Sequence, residues 1–180
     1  MIRPVVLALG SNVGDRLANL QRGITVLCRD GLRCTAVSAV FETAPVGGPD
    51  QDDYLNAVLL ADSALPAAAI LERCREAEAA LGRVRTVRWG PRTLDADIVA
   101  YGAEISADPE LTLPHPRAHE RAFVLAPWLD VAPEAALPGY GGVAGLLAAA
   151  PDRAGVRRLD PSQACLTLPG EAEEADIRCR

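Results

Sequence analysis

The sequence has little positive charge and few aromatic residues. Its formal net charge is −6, and aromatic residues make up 4% of its 180 residues. Proteins that bind nucleic acids generally present a basic surface, and sheet-based RNA-binding domains also stack bases on aromatic side chains. The composition therefore argues against a nucleic acid as the general partner.

Long hydrophobic runs and closely spaced cysteines are also missing. No apolar run approaches the roughly 20 residues of a membrane-spanning helix, and no charged segment followed by an apolar one indicates a signal peptide. None of the five cysteines forms a C-x-x-C pair, which predicts free thiols in a reducing cytoplasm. We expect Cys28, Cys34 and Cys74 to lie in the core; the other two are Cys165 and Cys179.

Hydrophobic residues are abundant, at 49% of the chain, so we expect a substantial core. A length of 180 residues favours a single domain, which we place at residues 1–155. Residues 156–180 are expected to form a C-terminal extension, and its acidic end, which has no aromatic residue, is expected to be disordered.

Hydrophobic periodicity predicts strands and helices along the whole domain. Apolar runs and alternation indicate strands, and apolar residues at helical spacing indicate helices. Up to residue 101 the order is βαββαβ, which is typical of an α+β, ferredoxin-like fold with an antiparallel sheet and helices on one face. Two later helices would extend it to an α/β/α layering. The predicted strands are residues 5–9, 32–41, 54–60 and 94–101, and the predicted helices are about 16–28, 66–82, 118–129 and 143–150.

One short stretch, residues 88–99, combines arginines, an aromatic ring and two carboxylates. In a strand, Asp95 and Asp97 project from one face while the apolar residues between and beside them enter the core. Paired carboxylates suit a hard cation such as Mg²⁺, which often accompanies a polyphosphate. Arg92 can grip phosphate oxygens, and Trp89 offers a ring for a flat ligand. The combination predicts a metal–polyphosphate site, whereas an Asp-x-Asp pair alone is more often a solvated strand face.

Two other segments carry candidate binding residues. The Gly- and Pro-rich loop 42–51 is long enough to be functional, and Tyr54 and Asn56 after it could stack on and hydrogen-bond a heterocycle, or be structural. His115 lies between two prolines, which hold it in an extended, rigid presentation. His115 either donates a hydrogen bond to a phosphate group or is a structural turn residue, while His119 is expected to be exposed to solvent. The turn Gly-Ser-Asn at 10–12 lacks the Gly-Lys-Ser/Thr of a phosphate loop and is interpreted as a plain strand-to-helix turn.

These motifs together resemble the 6-hydroxymethyl-7,8-dihydropterin pyrophosphokinase family over roughly residues 2–150. The motifs are Gly-Pro-Arg with Asp-x-Asp at 90–97, Thr-x-Pro to aromatic-x-Asn at 43–56, and Pro-His-Pro-Arg to Arg-x-Phe at 114–123. Ala96 departs from the larger aliphatic residue usual in the family, which concerns packing rather than chemistry. The resemblance implies transfer of pyrophosphate from ATP to the pterin hydroxymethyl group, with AMP as the other product, in folate biosynthesis.

The resemblance also implies roles for individual residues. Two Mg²⁺ ions would bind Asp95 and Asp97, which would form the catalytic set with Arg83 and Arg92. The ATP contacts would be Glu78, Arg83, Arg85, Arg92, Ile98, Thr112, His115 and Arg121. The pterin contacts would be Thr43, Val46, Tyr54, Asn56, Trp89 and Phe123, with Trp89 and Phe123 on opposite faces of the pterin.

A nucleotide- or metal-sensing module without turnover is the alternative function, and steady AMP formation would distinguish the two. We expect a cytoplasmic monomer that acts on small molecules and has neither a nucleic-acid nor a membrane partner. The sequence shows no obvious general base. The loops at 44–51 and 83–91 are expected to close over the two ligands.

Overall fold

The computed structural model describes residues 1–45, 50–82 and 90–170. These residues form an antiparallel sheet that is covered by helices on both faces. The strands are β1 (Arg3–Ser11), β2 (Leu32–Val37), β3 (Phe41–Thr43), β4 (Tyr54–Ser63), β5 (Asp95–Tyr101), β6 (Ser106–Ala107), β7 (Thr112–Leu113), β8 (Ala136–Leu137), β9 (Gly141–Gly142) and β10 (Val156–Arg158); the α-helices are α1 (Arg16–Leu27), α2 (Ala67–Ala80), α3 (Ala122–Val131) and α4 (Val143–Ala149).

The main sheet has the strand order β10-β3-β4-β1-β5, and β2 also pairs with β4. Every pairing in it is antiparallel. The predicted strand 32–41 is divided into β2 and β3. The division follows from contacts with β4: the pairing of β2 with β4 shifts register between Cys34 and Ala36, and the Ser38 hydroxyl then accepts a hydrogen bond from the Val58 N–H. The predicted βαββαβ order is confirmed.

Two cores lie on opposite faces of the sheet. Successive residues of β1 alternate between them, so that Leu7 packs with α1 and α2 and Val6 packs with α3 and α4. This alternation is what a strand buried on both faces requires, and it confirms the predicted α/β/α layering. None of the described helices is long and apolar enough to cross a membrane.

The segment after residue 155 is packed on the domain through residue 168. Strand β10 pairs with β3, and Leu159, Leu166 and Leu168 join the core under α1 and α2. The Gln21 carboxamide donates to the Thr167 carbonyl (2.9 Å) and accepts from the Thr167 N–H (3.0 Å). Residues expected in a C-terminal extension thus contribute a strand and core side chains, while most of the end that was expected to be disordered, 169–180, lies outside the described residues.

The prediction of free cysteines is wrong for two of the three core candidates. Cys28 and Cys34 form a disulfide across the turn between α1 and β2, with their Cα atoms 5.5 Å apart. Their spacing resembles no metal or redox pair, but the chain reversal at Asp30–Gly31 brings them together. Cys165 is disulfide-bonded as well. Cys74 is free and buried, as predicted, and burial, followed by the negative charge of Asp97, raises the pKa of its thiol to about 12.

The predicted helix 118–129 is also interrupted. A short 3₁₀ turn, Ala118–Glu120, precedes α3, and Arg121 between them is extended. His119 in this turn is not solvated as expected. Its ring stacks on Tyr140 with centroids 4.3 Å apart, and its Nδ1 atom is buried without a hydrogen-bond partner in the described structure.

Candidate active site

A cavity of about 580 Å³ lies on the α3 face of the sheet, where β1 ends beside the beginnings of β4 and β5. The antiparallel register places Gly10 opposite both Asn56 and Asp95. Three strand ends therefore contribute side chains to one opening. The polar and aromatic residues of its wall are Thr43, Gln51, Tyr54, Asn56, Arg92, Asp95, Asp97, His115, Arg117, Glu120, Arg121, Phe123 and Asp152.

Gly10 keeps the floor of this cavity open. A Cβ atom at this position would lie 3.3 Å from the Asn56 Oδ1 atom and 3.9 Å from the Asp95 Cβ atom. A glycine thus allows the two neighbouring strands to bring their polar side chains close to β1. Asn56 is buried beside it and donates through Nδ2 to the Thr43 hydroxyl at 2.8 Å, which fixes the orientation of its carboxamide.

Asp95 and Asp97 lie on the cavity side of β5, whereas Ala96 and Ile98 are buried on the other side. The side chains of Asp95 and Asp97 are 24% and 47% exposed, so both can be reached by a ligand. Arg92 Nη1 is 2.5 Å from Asp95 Oδ2. Burial is the largest influence on the pKa of Arg92 and would lower it, but the charge of Asp95, its hydrogen bond to the guanidinium and the charges of Tyr54 and Asp97 together outweigh burial, so the pKa is raised. The guanidinium is therefore a fixed positive charge at the cavity wall.

His115 is a neutral hydrogen-bond donor in this structure. Its Nδ1 atom accepts from the Arg117 N–H at 3.2 Å, which leaves the ring proton on Nε2. The Nε2 atom is 4.0 Å from Asp97 Oδ2. Burial, and then the charge of Arg121, lower the pKa of His115 to about 4. The backbone N–H donates to the Val99 carbonyl at 2.9 Å, which ties the residue to β5.

Arg121 and Phe123 flank the first residue of α3. The Arg121 guanidinium lies 5.5 Å from the centre of the Phe123 ring, within the range of a cation–π contact. The N-terminus of α3 has no capping side chain of its own. Instead, Asp152 accepts from the Ala122 N–H at 2.9 Å, so a distant loop holds the helix end that presents both side chains.

The structure brings most of the predicted site residues together. Those that line the cavity are Thr43, Tyr54, Asn56, Arg92, Asp95, Asp97, His115, Arg121 and Phe123. Val46, Arg83, Arg85 and Trp89 lie outside the described residues, as do half of the loop 44–51 and most of the loop 83–91, both of which were expected to close.

Three predicted ATP contacts are described but do not line the cavity. Ile98 is 5% exposed and packs in the core under α1 and α2, as strand alternation requires. Glu78 is buried in α2 and accepts from the Ala96 N–H at 3.1 Å, so it supports β5 from the opposite face. The Thr112 hydroxyl donates to the Asp108 carbonyl at 2.9 Å.

Sequence reasoning missed other residues of the site. Asp152, Arg117 and Glu120 line the cavity, and Asp152 is 30 residues away from the amide that it caps, so no local pattern indicates it. Asn12 was interpreted as part of a plain turn. Its position directly after a strand and two residues after Gly10 was the available signal, and its side chain bonds to residues of the cavity wall.

The donor set fits a cation that arrives with its ligand. Among residues 1–45, 50–82 and 90–170, no group of three His, Cys, Asp or Glu side chains could hold a metal ion by itself. Mg²⁺ usually takes only one or two protein carboxylates and completes its shell with water and substrate phosphates. The Asp95 and Asp97 oxygens on one cavity wall provide that number.

Paired carboxylates, arginines and a neutral histidine around one cavity, on an antiparallel α/β/α sheet, characterise an enzyme that handles polyphosphates. The family model described as 7,8-dihydro-6-hydroxymethylpterin-pyrophosphokinase (HPPK) matches residues 6–133. The chain belongs to this family.

Curated relatives carry the matching name, 2-amino-4-hydroxy-6-hydroxymethyldihydropteridine pyrophosphokinase. The protein of Methylorubrum extorquens is 47% identical over 135 residues, which cover 74% of this chain and 85% of the relative. That of Mycobacterium bovis is 47% identical over 147 residues, covering 76% and 77%. That of Bacillus subtilis is 42% identical over 126 residues, covering 69% and 75%.

Solved structures of HPPK-DHPS proteins share the fold. One HPPK-DHPS in complex with substrates superposes with a TM-score of 0.68 at 11% identity, covering 87% of this chain and 46% of that chain. The wild-type Plasmodium falciparum HPPK-DHPS with pteroate has a TM-score of 0.62 at 13% identity, covering 81% and 42%. At these identities the likeness concerns the fold alone, and this chain spans less than half the length of either.

Proposed function

We propose that this cavity is the active site in which the chain carries out the reaction of its family. The chain is an ATP-dependent diphosphotransferase that transfers the pyrophosphoryl group of ATP to the hydroxymethyl group of 6-hydroxymethyl-7,8-dihydropterin, giving AMP and the pterin diphosphate, a step in folate biosynthesis. The observation that carries the assignment of the site is that Asp95, Asp97, Arg92 and His115 converge on one cavity with Asn56 and Phe123.

The polyphosphate would occupy the end of the cavity near β5. Arg92 and Arg121 would provide positive charge, and His115 would donate through Nε2 because its Nδ1 atom already accepts from the Arg117 N–H. Arg92 is held by Asp95 in advance, so little side-chain freedom would be lost on binding. Arg83 and Arg85 are proposed to complete the phosphate contacts.

Asp95 and Asp97 would hold Mg²⁺, and we propose two ions. Bound Mg²⁺ would neutralise charge on the ATP phosphates. The same two carboxylates repel an unaccompanied polyphosphate, so they would select ATP that carries its cation. The remaining predicted ATP contacts, Glu78, Ile98 and Thr112, would have to act through β5 or the backbone, since their described side chains do not reach the cavity.

The pterin would bind at the end near β4. The Asn56 carboxamide, fixed by Thr43, offers a donor and an acceptor to the amide-like edge of the heterocycle. Tyr54 and Phe123 provide aromatic surface on the wall, and Trp89 and Val46 are proposed to contribute from the neighbouring loops. Burial of a flat ring between such side chains would orient the hydroxymethyl group.

Catalysis would rest on positioning and charge. His115 is a poor base here because its free ring nitrogen carries the proton, and a pyrophosphoryl group is transferred efficiently when donor and acceptor are held in line in a positively charged site. We also propose that the protein acts as a monomer and is cytoplasmic.

The test is the identity of the nucleotide product. The protein is incubated with Mg²⁺, the pterin alcohol and γ-labelled ATP for a single turnover, and the products are separated by chromatography. We expect AMP in an amount equal to the pterin product, with the label in a pterin diphosphate. ADP with a labelled pterin monophosphate would contradict pyrophosphoryl transfer, and binding of both ligands without any nucleotide product would favour a sensor.

A further inference from the structure

Asn12 is a buried polar residue that does not line the cavity but bonds to residues on both sides of it. It follows the last residue of β1 and is 2% exposed. We infer that Asn12 is a positioning residue that ties the Arg92 segment to residues 51–52 and so couples the polyphosphate end of the cavity to the pterin end. The inference rests on the function proposed above.

The first connection is to Arg92, and it has two hydrogen bonds. The Asn12 N–H donates to the Arg92 carbonyl at 3.0 Å, and Asn12 Oδ1 accepts from the Arg92 N–H at 2.8 Å. Two bonds, one to the N–H and one to the carbonyl of the same residue, fix both the position and the direction of the Arg92 backbone. The backbone that carries the Arg92 guanidinium to Asp95 is therefore set by Asn12.

The second connection is to the loop before β4. Asn12 Nδ2 donates to Gln51 Oε1 at 2.9 Å and to the Asp52 carbonyl at 3.1 Å. Gln51 lines the cavity, and Tyr54, which also lines it, follows two residues after Asp52. The same carboxamide thus holds the segment that leads to the proposed pterin side chains.

The hydrogen bonds made at position 12 require both the donors and the acceptor of an asparagine side chain. Both N–H groups of the carboxamide are donated to one segment and its oxygen accepts from the other. An aspartate would keep the acceptor but lose both donors, and a serine hydroxyl, which has a single donor, could replace at most one of the two donated bonds. The loop would keep an independent anchor in either case, because Arg16 donates to the Asp53 carbonyl at 2.7 Å.

A shared buried anchor predicts thermodynamic linkage between the ligands. A nucleotide that shifts the Arg92 segment would act on Asn12 through its two bonds to the Arg92 backbone, and Asn12 would act in turn on residues 51–52 at the pterin side. Binding of one ligand should therefore tighten the other by an equal factor, and typical couplings are roughly 5- to 150-fold. Substitution of a residue that only stabilises the fold would lower the stability of the protein without changing this coupling factor.

Asn19 provides a matched control. It is also buried, at 8% exposure, and its carboxamide donates to the Val13 carbonyl at 2.8 Å and lies 3.4 Å from the Ser11 hydroxyl. Neither of these partners lines the cavity. Asn12→Asp and Asn12→Ser are compared with Asn19→Asp and Asn19→Ser, so that the aspartates match for buried charge and the serines for lost volume.

The experiment measures the pterin Kd by calorimetry with and without Mg²⁺ and a non-hydrolysable ATP analogue, together with Tm, kcat and KM. We expect the wild-type linkage to fall toward a ratio of one in both Asn12 variants, and kcat/KM for the pterin to fall by about 100-fold, the order of loss expected from misplaced reactive groups. The Asn19 variants should lower Tm comparably but keep the linkage and retain kcat/KM within about threefold.

Each other outcome overturns the inference. Asn12 variants that keep the wild-type linkage, or a wild-type protein with no linkage, would show that Asn12 does not couple the two ends. Failure of both Asn12 variants to fold while the Asn19 variants fold would assign Asn12 to stability alone. A wild-type protein that binds both ligands but forms no AMP would instead refute the proposed function, and this inference with it.

Discussion

The two acidic residues on β5 differ in their surroundings although they share a strand face. Asp95 is paired with Arg92 and its side chain is 24% exposed, whereas Asp97 is 47% exposed and lies 4.0 Å from the neutral His115 ring. Asp95 therefore contributes to the order of the cavity wall as well as to its charge. Asp97 contributes mainly charge, and the two substitutions should be separable by stability.

Asp97→Asn and Asp95→Asn are each expected to reduce turnover by at least about 100-fold, because loss of a carboxylate removes charge stabilisation typically worth ~3 kcal/mol. Asp97→Asn should leave the free energy of unfolding within about 0.5 kcal/mol of wild type, as for most surface changes. Asp95→Asn should lower it further, since Arg92 would lose its partner. The measurements are kcat across a range of Mg²⁺ concentrations and denaturant unfolding.

The control for this pair is Asp62→Asn. Asp62 also pairs with an arginine, Arg33, at 2.6 Å, but at a distance from the cavity wall. It should retain wild-type turnover. Activity within twofold of wild type in either β5 variant at limiting Mg²⁺ would contradict the metal assignment.

Among the elements, those with strong periodicity could be predicted from the sequence. The alternation of β5 correctly separates core from cavity residues. Local pattern failed where a long-range contact decides the structure. The division of β2 from β3 depends on Ser38 bonding to Val58, and the start of α3 depends on Asp152.

Helix α1 contains a glycine, Gly23, which packs closely against Leu94 because it has no side chain. A Cβ atom at Gly23 would lie 2.9 Å from both Cδ atoms of Leu94. Leu94 is fully buried and precedes Asp95, so it cannot move without disturbing the core or the first residue of β5. The closeness of α1 to this strand thus depends on position 23.

Gly23→Ala is expected to destabilise the protein by about 1 kcal/mol. Alanine would improve helix propensity by ~1 kcal/mol, but overpacking a filled core typically costs about 1–3 kcal/mol. The same substitution in α4, Gly145→Ala, has nothing within 4 Å of the new Cβ and should raise stability by about 0.5–1 kcal/mol. Thermal unfolding of both variants tests this contrast, and a stabilised Gly23→Ala protein would show that Leu94 yields easily.

At the scale of the whole molecule, the sequence predicted the fold class, the layering and the composition of most of the cavity, because these follow from periodicity and from motifs. It did not predict contacts between remote segments. Gln21 and Thr167 are 146 positions apart, and nothing in either neighbourhood indicates that they pair. The Cys28–Cys34 disulfide was missed for a different reason: the two cysteines are close in sequence, and whether they meet depends on how tightly the chain turns between α1 and β2.

The segment after residue 155 bears on the extent of the domain. We propose that it continues beyond residue 155 to residue 168, because β10 extends the sheet and Leu166, at 7% exposure, packs in the core. Leu166→Ala should lower the free energy of unfolding by at least about 2 kcal/mol, as large-to-small core changes do. Ile105→Ala, at a residue that is 70% exposed, should change it by less than about 0.5 kcal/mol. Denaturant unfolding, followed as a single cooperative transition, would measure the free energy of unfolding of both variants. Equal stabilities for the two variants would mean that the segment lies on the domain without stabilising it, and that the boundary at residue 155 is the physical one.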